Sequence, residues 1–193
     1  MIKLGAAELR TSPPSEEDLK KIKKNPIYII LDNVLDTYNV GAIFRLADAV
    51  AAEKVILCGT TETPPDSRIK KASINTTEWV TWSYAPTAVG ALQELRTKNP
   101  ELRTIAIEQS KKSIPYDKAD YKFPIALVVG NETSGVSKEV LQSRVLSRTR
   151  QSRMIDQIVE IPMWGVNKSL NVMVSLGIVI YEAVKQLPRY SVW

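Results

Sequence analysis

The chain has 193 residues, of which 44% are hydrophobic and 24% are charged. This is the composition of a globular protein and excludes a disordered or fibrous one. There is no histidine and a single cysteine, Cys58, which excludes a Ser/His/Asp triad, a Cys/His zinc site and an internal disulfide. The formal net charge of +5 is compatible with a polyanionic partner.

The sequence contains no pattern of a secretion signal or a membrane span. Residues 1–18 have no continuous apolar run. The longest apolar stretch, residues 170–184, is interrupted by Asn171, Ser175 and Glu182 and is shorter than the roughly 20 residues that a span needs. Since one unpaired thiol suits a reducing compartment, we predict a cytoplasmic protein.

Residues 1–25 are polar, and we predict that they form an arm outside the core. The break at residues 12–15 ends at Ser15, which is expected to cap a helix over residues 16–24 with Asp18 three positions on. From Pro26 the pattern changes, and residues 26–193 are predicted to form one domain.

Short apolar runs alternate with helical patterns along this domain. Strands are predicted over residues 27–31, 55–57, 103–107, 125–129 and 158–161, and helices over residues 41–52, 87–98, 137–146 and 170–186. The strands are apolar on both sides, which is typical of strands covered by helices on both faces. We therefore predict an α/β domain with a parallel sheet.

Ligands of parallel α/β sheets bind beyond the carboxyl ends of the strands, so the loops that follow strands are the candidate sites. The first loop runs from Asp32 to Asn39, and Asn39 is expected to cap the next helix. Arg45 falls outside the apolar stripe of that helix. It is either a functional cation or a solvated side chain paired with Asp48 or Asp32.

The second loop has the sequence Gly130-Asn131-Glu132-Thr133-Ser134-Gly135. Two glycines at a strand-to-helix turn let backbone N–H groups approach a ligand closely. The spacing matches neither a dinucleotide fingerprint nor a P-loop, so an ordinary tight turn is the favoured interpretation of this loop taken alone.

The third loop, residues 162–171, leads into a last helix that is apolar around most of its circumference. A surface helix of this kind cannot face water on one side. We expect the sheet and a second copy of the chain to cover it.

Three strings in these loops resemble the motifs of the SpoU/TrmH-type RNA 2′-O-ribose methyltransferases of the SPOUT superfamily. They are NVGAIFR at 39–45, VVGNETSGVS at 128–137 and VEIPMWGVNKSLNV at 159–172. Their order agrees with the family, and the resemblance spans residues 26–187. It implies a C-terminal trefoil knot, an S-adenosylmethionine (SAM) cofactor and a homodimer, with no metal.

The resemblance also implies roles for individual residues. The catalytic set is Asn39, Arg45, Glu132, Ser169 and Asn171. The cofactor-binding set is Val129, Gly130, Asn131, Ile161, Met163, Gly165, Ser169 and Leu170. The RNA-binding candidates are two basic additions. One is in the arm, with Lys20, Lys21, Lys23 and Lys24, and the other lies before the last strand, with Arg144, Arg148, Arg150 and Arg153. For the lysines, a solvated face whose charge is offset by neighbouring acids is an equal alternative.

The implied reaction is methyl transfer to a ribose 2′-hydroxyl of structured RNA, with tRNA favoured over rRNA. Arg45 is either a base deprotonated with help from an RNA phosphate or a cation that stabilises the developing alkoxide, and its high pKa favours the cation. The alternatives are a non-catalytic RNA-binding dimer and a methyltransferase acting on a base nitrogen.

Overall fold

The computed structural model describes residues 4–146 and 151–187. The strands in this part of the chain are β1 Asn25–Asp32, β2 Ala52–Cys58, β3 Trp82–Ala85, β4 Arg103–Ile107, β5 Ile114–Pro115, β6 Ile125–Gly130, β7 Arg144–Leu146, β8 Gln151–Arg153 and β9 Gln157–Glu160. The helices are α1 Ala6–Thr11, α2 Glu16–Lys20, α3 Thr37–Ala49, α4 Ser67–Ser73, α5 Ala88–Lys98, α6 Lys138–Gln142 and α7 Val172–Lys185.

Seven strands form a sheet in the order β3-β2-β1-β6-β4-β9-β5, and every neighbouring pair is parallel. The predicted α/β parallel sheet is therefore confirmed. The direction of strand addition reverses between β1 and β6, which is the switch point where such sheets bind ligands. Asp32 pairs with Gly130 in the register, so the loops after β1 and β6 leave the sheet side by side.

Apolar clusters cover both faces of the sheet. Phe44 of α3 and Val179 of α7 belong to the cluster on one face, and Leu92 of α5 and Val140 of α6 belong to the cluster on the other. The central strand β6 is buried along its whole length. Burial on both faces explains why its sequence is apolar without alternation.

The start of α3 differs from the predicted one. Asp36 is its N-cap, and the Asp36 side chain accepts a hydrogen bond from the backbone N–H of Tyr38. Asn39, the predicted cap, lies inside the first turn, because Asp36 provides a carboxylate acceptor one turn earlier. Residues 50–52 were predicted to end this helix, but Val50 and Ala51 form a turn and Ala52 begins β2.

Two other predicted helices are too long, and one is nearly right. The helix predicted over 137–146 ends at Gln142, because the chain then enters the antiparallel β7–β8 hairpin. The helix predicted over 16–24 ends at Lys20, although Ser15 caps it as expected. The last helix begins at Val172, with Asn171 as its N-cap.

Helix α4 was not predicted, because its seven residues are too few for a clear period. It packs against the first turns of α3 at Gly41. A Cβ atom at Gly41 would overlap the carbonyl oxygen of Ile69 and the side chain of Ala72, so only glycine permits this close approach. This contact holds α4 beside the loop that follows β1.

The segment before β1 lies on the surface. None of the residues of α1 and α2 is buried, yet Asn75 donates a hydrogen bond to the carbonyl of Leu9 at 3.0 Å. The division into an arm over residues 1–25 and a domain over residues 26–193 stays a prediction.

The segment after the β7–β8 hairpin is fastened to the sheet by a half-buried ion pair. Arg96 Nη2 donates to Asp156 Oδ2 at 2.6 Å, and the backbone N–H of Thr104 donates to the same oxygen at 2.7 Å. Met154, next to this pair, is fully buried. Among the helices in the described residues, none combines the length and apolar character that a membrane span requires.

Candidate active site

Four loops meet at the carboxyl edge of the sheet. They follow β1, β6, β4 and β9, which are neighbours in the sheet order. Three of them are the loops predicted from the sequence. The hydrogen bonds that join them determine which side chains face a common space.

A row of three side chains connects the loops after β1, β6 and β9. Asn171 Nδ2 donates to Asn39 Oδ1 at 2.8 Å, and Asn39 Nδ2 donates to Glu132 Oε1 at 2.9 Å. Asn171 Oδ1 accepts from the backbone N–H of Met173 at the start of α7. Both ends of the Asn39 amide are thus bonded to protein partners, and the residue is only 5% exposed.

Glu132 binds the first loop through its whole carboxylate. Oε2 accepts from Leu35 N at 3.1 Å, and Oε1 accepts from Asp36 N at 3.0 Å. Partial burial, the largest influence, raises the pKa of Glu132, but hydrogen bonds from Asn39 and from the backbone N–H groups of Leu35, Glu132 itself and Asp36 together lower it. These hydrogen bonds favour the anionic form of Glu132, and they join the second loop to the first.

The second loop folds back on itself at its two glycines. The backbone groups of Asn131 and Gly135 exchange hydrogen bonds of 3.0 and 2.9 Å, and Asn131 Oδ1 accepts from Thr133 N at 2.9 Å. Gly135 has a φ of +70°, and a Cβ atom at Gly130 would overlap the backbone of Gly135. This geometry explains why the sequence requires glycine at both positions.

The loop after β4 was missed by the sequence analysis. Glu108 Oε2 accepts from Val136 N at 2.7 Å, and Glu108 Oε1 accepts from Gln109 N at 2.8 Å. The side chain of Gln109 donates to the carbonyl of Lys168 in the third loop. Glu108 and Gln109 directly follow a predicted strand, so the rule that ligands bind beyond the carboxyl ends of strands would have found them.

The loops after β6, β4 and β9 enclose a cavity of about 340 Å³, within the range of small-molecule sites. Seven of the eight predicted cofactor-binding residues line it: Val129, Gly130, Asn131, Ile161, Met163, Ser169 and Leu170. Glu132 also lines it, together with residues that were not predicted, among them Glu108, Gln109, Lys168 and Ser175.

Three predicted catalytic residues and one predicted cofactor residue do not line this cavity. Asn39 is connected to it through its hydrogen bond with Glu132, and Asn171 through its hydrogen bond with Asn39. Gly165 lies in an exposed stretch, and a Cβ atom added there would have no other atom within 4 Å.

The third of these catalytic residues is Arg45. It is exposed and makes no ion pair or hydrogen bond within residues 4–146 and 151–187, so the alternative pairing with Asp48 or Asp32 is wrong. It lies six residues after Asn39, about 9 Å along the axis of α3.

The basic additions lie apart from the cavity. In the arm, Lys20 pairs with Glu16 at 3.9 Å and Lys21 pairs with Asp18 at 3.4 Å, while Lys23 is exposed and Lys24 half-exposed. Arg144 and Arg153 are exposed, opposite each other in the β7–β8 hairpin. Arg148 and Arg150 lie outside the described residues.

Two further kinds of reactive group, a thiolate and a metal-binding cluster, were sought among the described residues. Burial, with a contribution from Asp32, raises the pKa of the Cys58 thiol to about 12, which leaves it protonated. Over the part of the chain that the structure describes, no group of three or more acidic or cysteine side chains could hold a metal ion.

Comparison with known proteins places these loops in a family. The model of the SpoU rRNA Methylase family matches residues 26–181. The chain is 34% identical over 176 residues to the tRNA (guanosine(18)-2'-O)-methyltransferase of Aquifex aeolicus, covering 88% of this chain and 74% of that protein. It is 32% identical to the 23S rRNA (guanosine-2'-O-)-methyltransferase RlmB of Ralstonia nicotianae, covering 89% of this chain and 63% of that protein.

Solved structures agree with the sequence comparison. The A. aeolicus TrmH/SpoU tRNA modifying enzyme superposes with a TM-score of 0.72 at 31% identity, over 96% of this chain and 83% of that one. An AdoMet-bound rRNA methyltransferase from Sinorhizobium meliloti gives a TM-score of 0.71 at 28% identity, over 88% of this chain and 60% of that one. The chain belongs to the SpoU rRNA methylase family, as its three loop motifs predicted.

Proposed function

We propose that this protein transfers the methyl group of SAM to a ribose 2′-hydroxyl of a structured RNA. The observation that carries the proposal is the row Asn171–Asn39–Glu132, which joins the three motif loops beside the cavity. The named relatives support the same reaction, since they are ribose 2′-O-methyltransferases of tRNA and 23S rRNA. The Aquifex tRNA enzyme is matched over a larger share of its length, which favours tRNA.

The residues of the cavity fit the chemistry of SAM. Ile107, Val129 and Ile161 offer an apolar surface for the adenine, and backbone N–H and C=O groups of the loops can bond its polar edge. Lys168 suits the carboxylate of the methionine part, while Glu108 and Glu160 suit hydroxyl and ammonium groups. When bound, the sulfonium supplies an electrophilic methyl group, so the protein's task is mainly to position the acceptor.

The remaining task is to remove the proton of the 2′-hydroxyl. Glu132 is committed to backbone donors, and Arg45 is a motif cation that is exposed and without a protein partner in the described residues. A guanidinium stays protonated at neutral pH. We assign Arg45 to stabilise the developing alkoxide while water accepts the proton.

This role requires a second molecule at the site, because Arg45 does not line the cavity of its own chain. A homodimer through α7 fits this need: Val174 and Tyr181, on the side of α7 away from the sheet, are 40% and 48% exposed. Exposed apolar side chains of this size mark an interface. A homodimer and a trefoil knot formed by the C-terminal segment are both part of the proposal.

The direct test is incubation of the purified protein with methyl-labelled SAM and tRNA or 23S rRNA transcripts, followed by nucleoside analysis. We expect label in 2′-O-methyl nucleosides, SAM binding by calorimetry and a dimer by light scattering. RNA and SAM binding without methyl transfer would indicate a non-catalytic dimer, and label on a base nitrogen would indicate the other branch of the superfamily. Either result contradicts the proposal.

A further inference from the structure

A second cavity, of about 480 Å³, lies between α1, α4 and the turn after α4. The residues that line it, here called the basic groove, are Arg10, Ser67, Lys70, Lys71, Ile74 and Asn75. It shares no lining residue with the candidate active site. Neither of the basic additions predicted from the sequence contributes to it.

The basic groove has an excess of positive charge. Lys70 pairs with Glu78 at 3.3 Å. Arg10 and Lys71, by contrast, make no ion pair with a carboxylate anywhere in residues 4–146 and 151–187. Two cations of a groove are thus left available to an anionic ligand.

A strained turn forms one wall of the basic groove. Ile74 and Asn75 have φ angles of 53° and 64°, a left-handed conformation that is uncommon for a β-branched residue. The Asn75 side chain donates to the carbonyl of Leu9, which holds α1, and with it Arg10, opposite α4.

The basic groove and α3, which carries Asn39 and Arg45, lie on different sides of α4: Ile69 and Ala72 face α3, whereas Lys70 and Lys71 line the groove. Helix α4 packs on α3 at Gly41, two residues after Asn39 of the hydrogen-bonded row. Arg45 is one helical turn beyond Gly41 on the same face of α3. An RNA strand bound both at the proposed reaction site and in the basic groove would therefore have to cross α4.

We propose that the basic groove binds the phosphodiester backbone of the RNA substrate through Arg10 and Lys71. The inference rests on the proposed function, because RNA is the ligand in both. Arginine binds phosphate oxygens with two parallel N–H groups and lysine binds them as a point charge. The Ser67 hydroxyl adds a neutral donor at the same wall.

The test compares binding of a tRNA transcript by the wild-type protein and by the double variant Arg10→Gln/Lys71→Gln at several salt concentrations. Each lost phosphate contact lowers the slope of log affinity against log salt by roughly 0.7–0.9. We expect a slope about 1.5 units smaller, affinity at least about tenfold weaker near 0.1 M salt, and SAM affinity unchanged.

Two variants serve as controls. Lys98→Ala/Lys122→Ala removes two exposed lysines, one on α5 and one in the loop before β6, and should leave slope and affinity at wild-type values. The exchange Arg10→Lys/Lys71→Arg keeps the charge and should restore most of the affinity. Should the double variant fold poorly, the single charge reversal Lys71→Glu must weaken RNA binding while SAM binding reports an intact fold.

The outcomes separate this inference from the proposed function. A wild-type protein that binds neither SAM nor RNA refutes the proposed function. A wild-type enzyme that methylates RNA, together with a folded double variant of unchanged slope and affinity, refutes only the role of the basic groove. Saturable binding of inorganic pyrophosphate that is lost in the double variant, with RNA binding unchanged, would instead identify a site for a small anion and overturn the inference.

Discussion

Arg45 and Glu132 are the two charged members of the predicted catalytic set, and the structure gives them opposite surroundings. Glu132 accepts hydrogen bonds from Asn39, Leu35 and Asp36. Arg45 is exposed and without a partner in the described residues. At the scale of the residue, therefore, Glu132 is bonded to other parts of the protein, while Arg45 is available to a substrate.

Replacement of Arg45 by alanine should lower single-turnover methylation by at least about 100-fold, the effect of losing one electrostatic contact with the transition state. SAM affinity should stay nearly constant, because Arg45 does not line the cavity. Single-turnover rates and calorimetry measure the two effects separately. Lys98→Ala, which removes an exposed cation elsewhere, should leave both at wild-type values.

Equal losses of rate and SAM affinity in Arg45→Ala would contradict the catalytic assignment. Arg45→Lys distinguishes between the two roles of the arginine. Appreciable activity of the lysine variant favours a cation that stabilises the alkoxide, since lysine keeps the charge but not the guanidinium geometry.

Glu132→Gln should weaken the connection between the loops, because its amide group places a donor against backbone N–H donors. The loss of one hydrogen bond is worth about 1 kcal/mol, or about fivefold in SAM affinity. Calorimetry measures it, with Glu62→Gln, an exposed residue with no hydrogen bond to the described chain, as the matched control. An unchanged SAM affinity would show that the row does not shape the cavity.

The same carboxylate predicts a pH dependence of stability. The pKa of Glu132 is lower in the folded protein than its usual value, so the unfolded chain binds the proton more tightly. This contribution to stability is fully present above about pH 4.3 and is lost as the pH falls through the folded pKa. Urea unfolding between pH 6 and 3 should show a shallower decline for Glu132→Gln than for the wild-type protein; parallel curves would contradict the assignment.

At the scale of the elements, the Arg96–Asp156 pair holds the base of the β7–β8 hairpin on β4. The two side chains are 14% and 21% exposed, and the Arg96 Nε atom has no hydrogen-bond partner among the described residues. Removing the carboxylate leaves a mostly buried cation uncompensated. Such a change is far more costly than the loss of a surface pair.

Asp156→Ala should lower the free energy of unfolding by about 3 kcal/mol. Urea denaturation measures this change. Asp120→Ala, which breaks the exposed pair with Lys122, is the matched control and should change stability by less than about 1 kcal/mol. Similar effects of the two substitutions would mean that burial does not matter for the Asp156 pair.

Elements were predictable from the sequence where the pattern was long and unambiguous. Strand β4 was predicted over its observed bounds, and the prediction for β6 omitted only its last residue, Gly130, which pairs with Asp32. The predicted start of α3 was wrong because Asp36 and Asn39 are both good N-cap residues, and the choice between them depends on which residue can turn the chain after β1. The first strand of the β7–β8 hairpin was predicted as the end of a helix, because its three residues are too few to show an alternating pattern.

At the scale of the whole molecule, RNA binding is proposed to extend beyond the cavity to the arginines of residues 144–153. Removal of Arg148, Arg150 and Arg153 together should flatten the salt dependence of RNA affinity by about two units, at roughly 0.7–0.9 per lost phosphate contact. Affinity for RNA should fall while SAM affinity is retained. Filter binding over a salt series measures the slope for the wild-type protein and for the triple variant, with Lys98→Ala/Lys122→Ala as the control.

Unchanged affinity and slope in that triple variant would identify the arginines as an ordinary solvated surface. The lysines of the arm have more local compensation, since Lys20 and Lys21 pair with acids of the same helix. They are therefore expected to contribute less than the arginines of residues 144–153.

The sequence by itself determined the class of fold, the family and the three loops of the site, because uniform apolar strands and three ordered motifs are local patterns. Only the tertiary structure decided how the loops are joined. Glu132 meets the backbone of Leu35 and Asp36, 97 and 96 residues away in the chain, and Glu108 enters the site because β4 lies between β6 and β9. The basic groove likewise requires Arg10 and Lys71 to come together from separate helices. Such contacts depend on the order of strands and the packing of helices, which no local pattern in the sequence records.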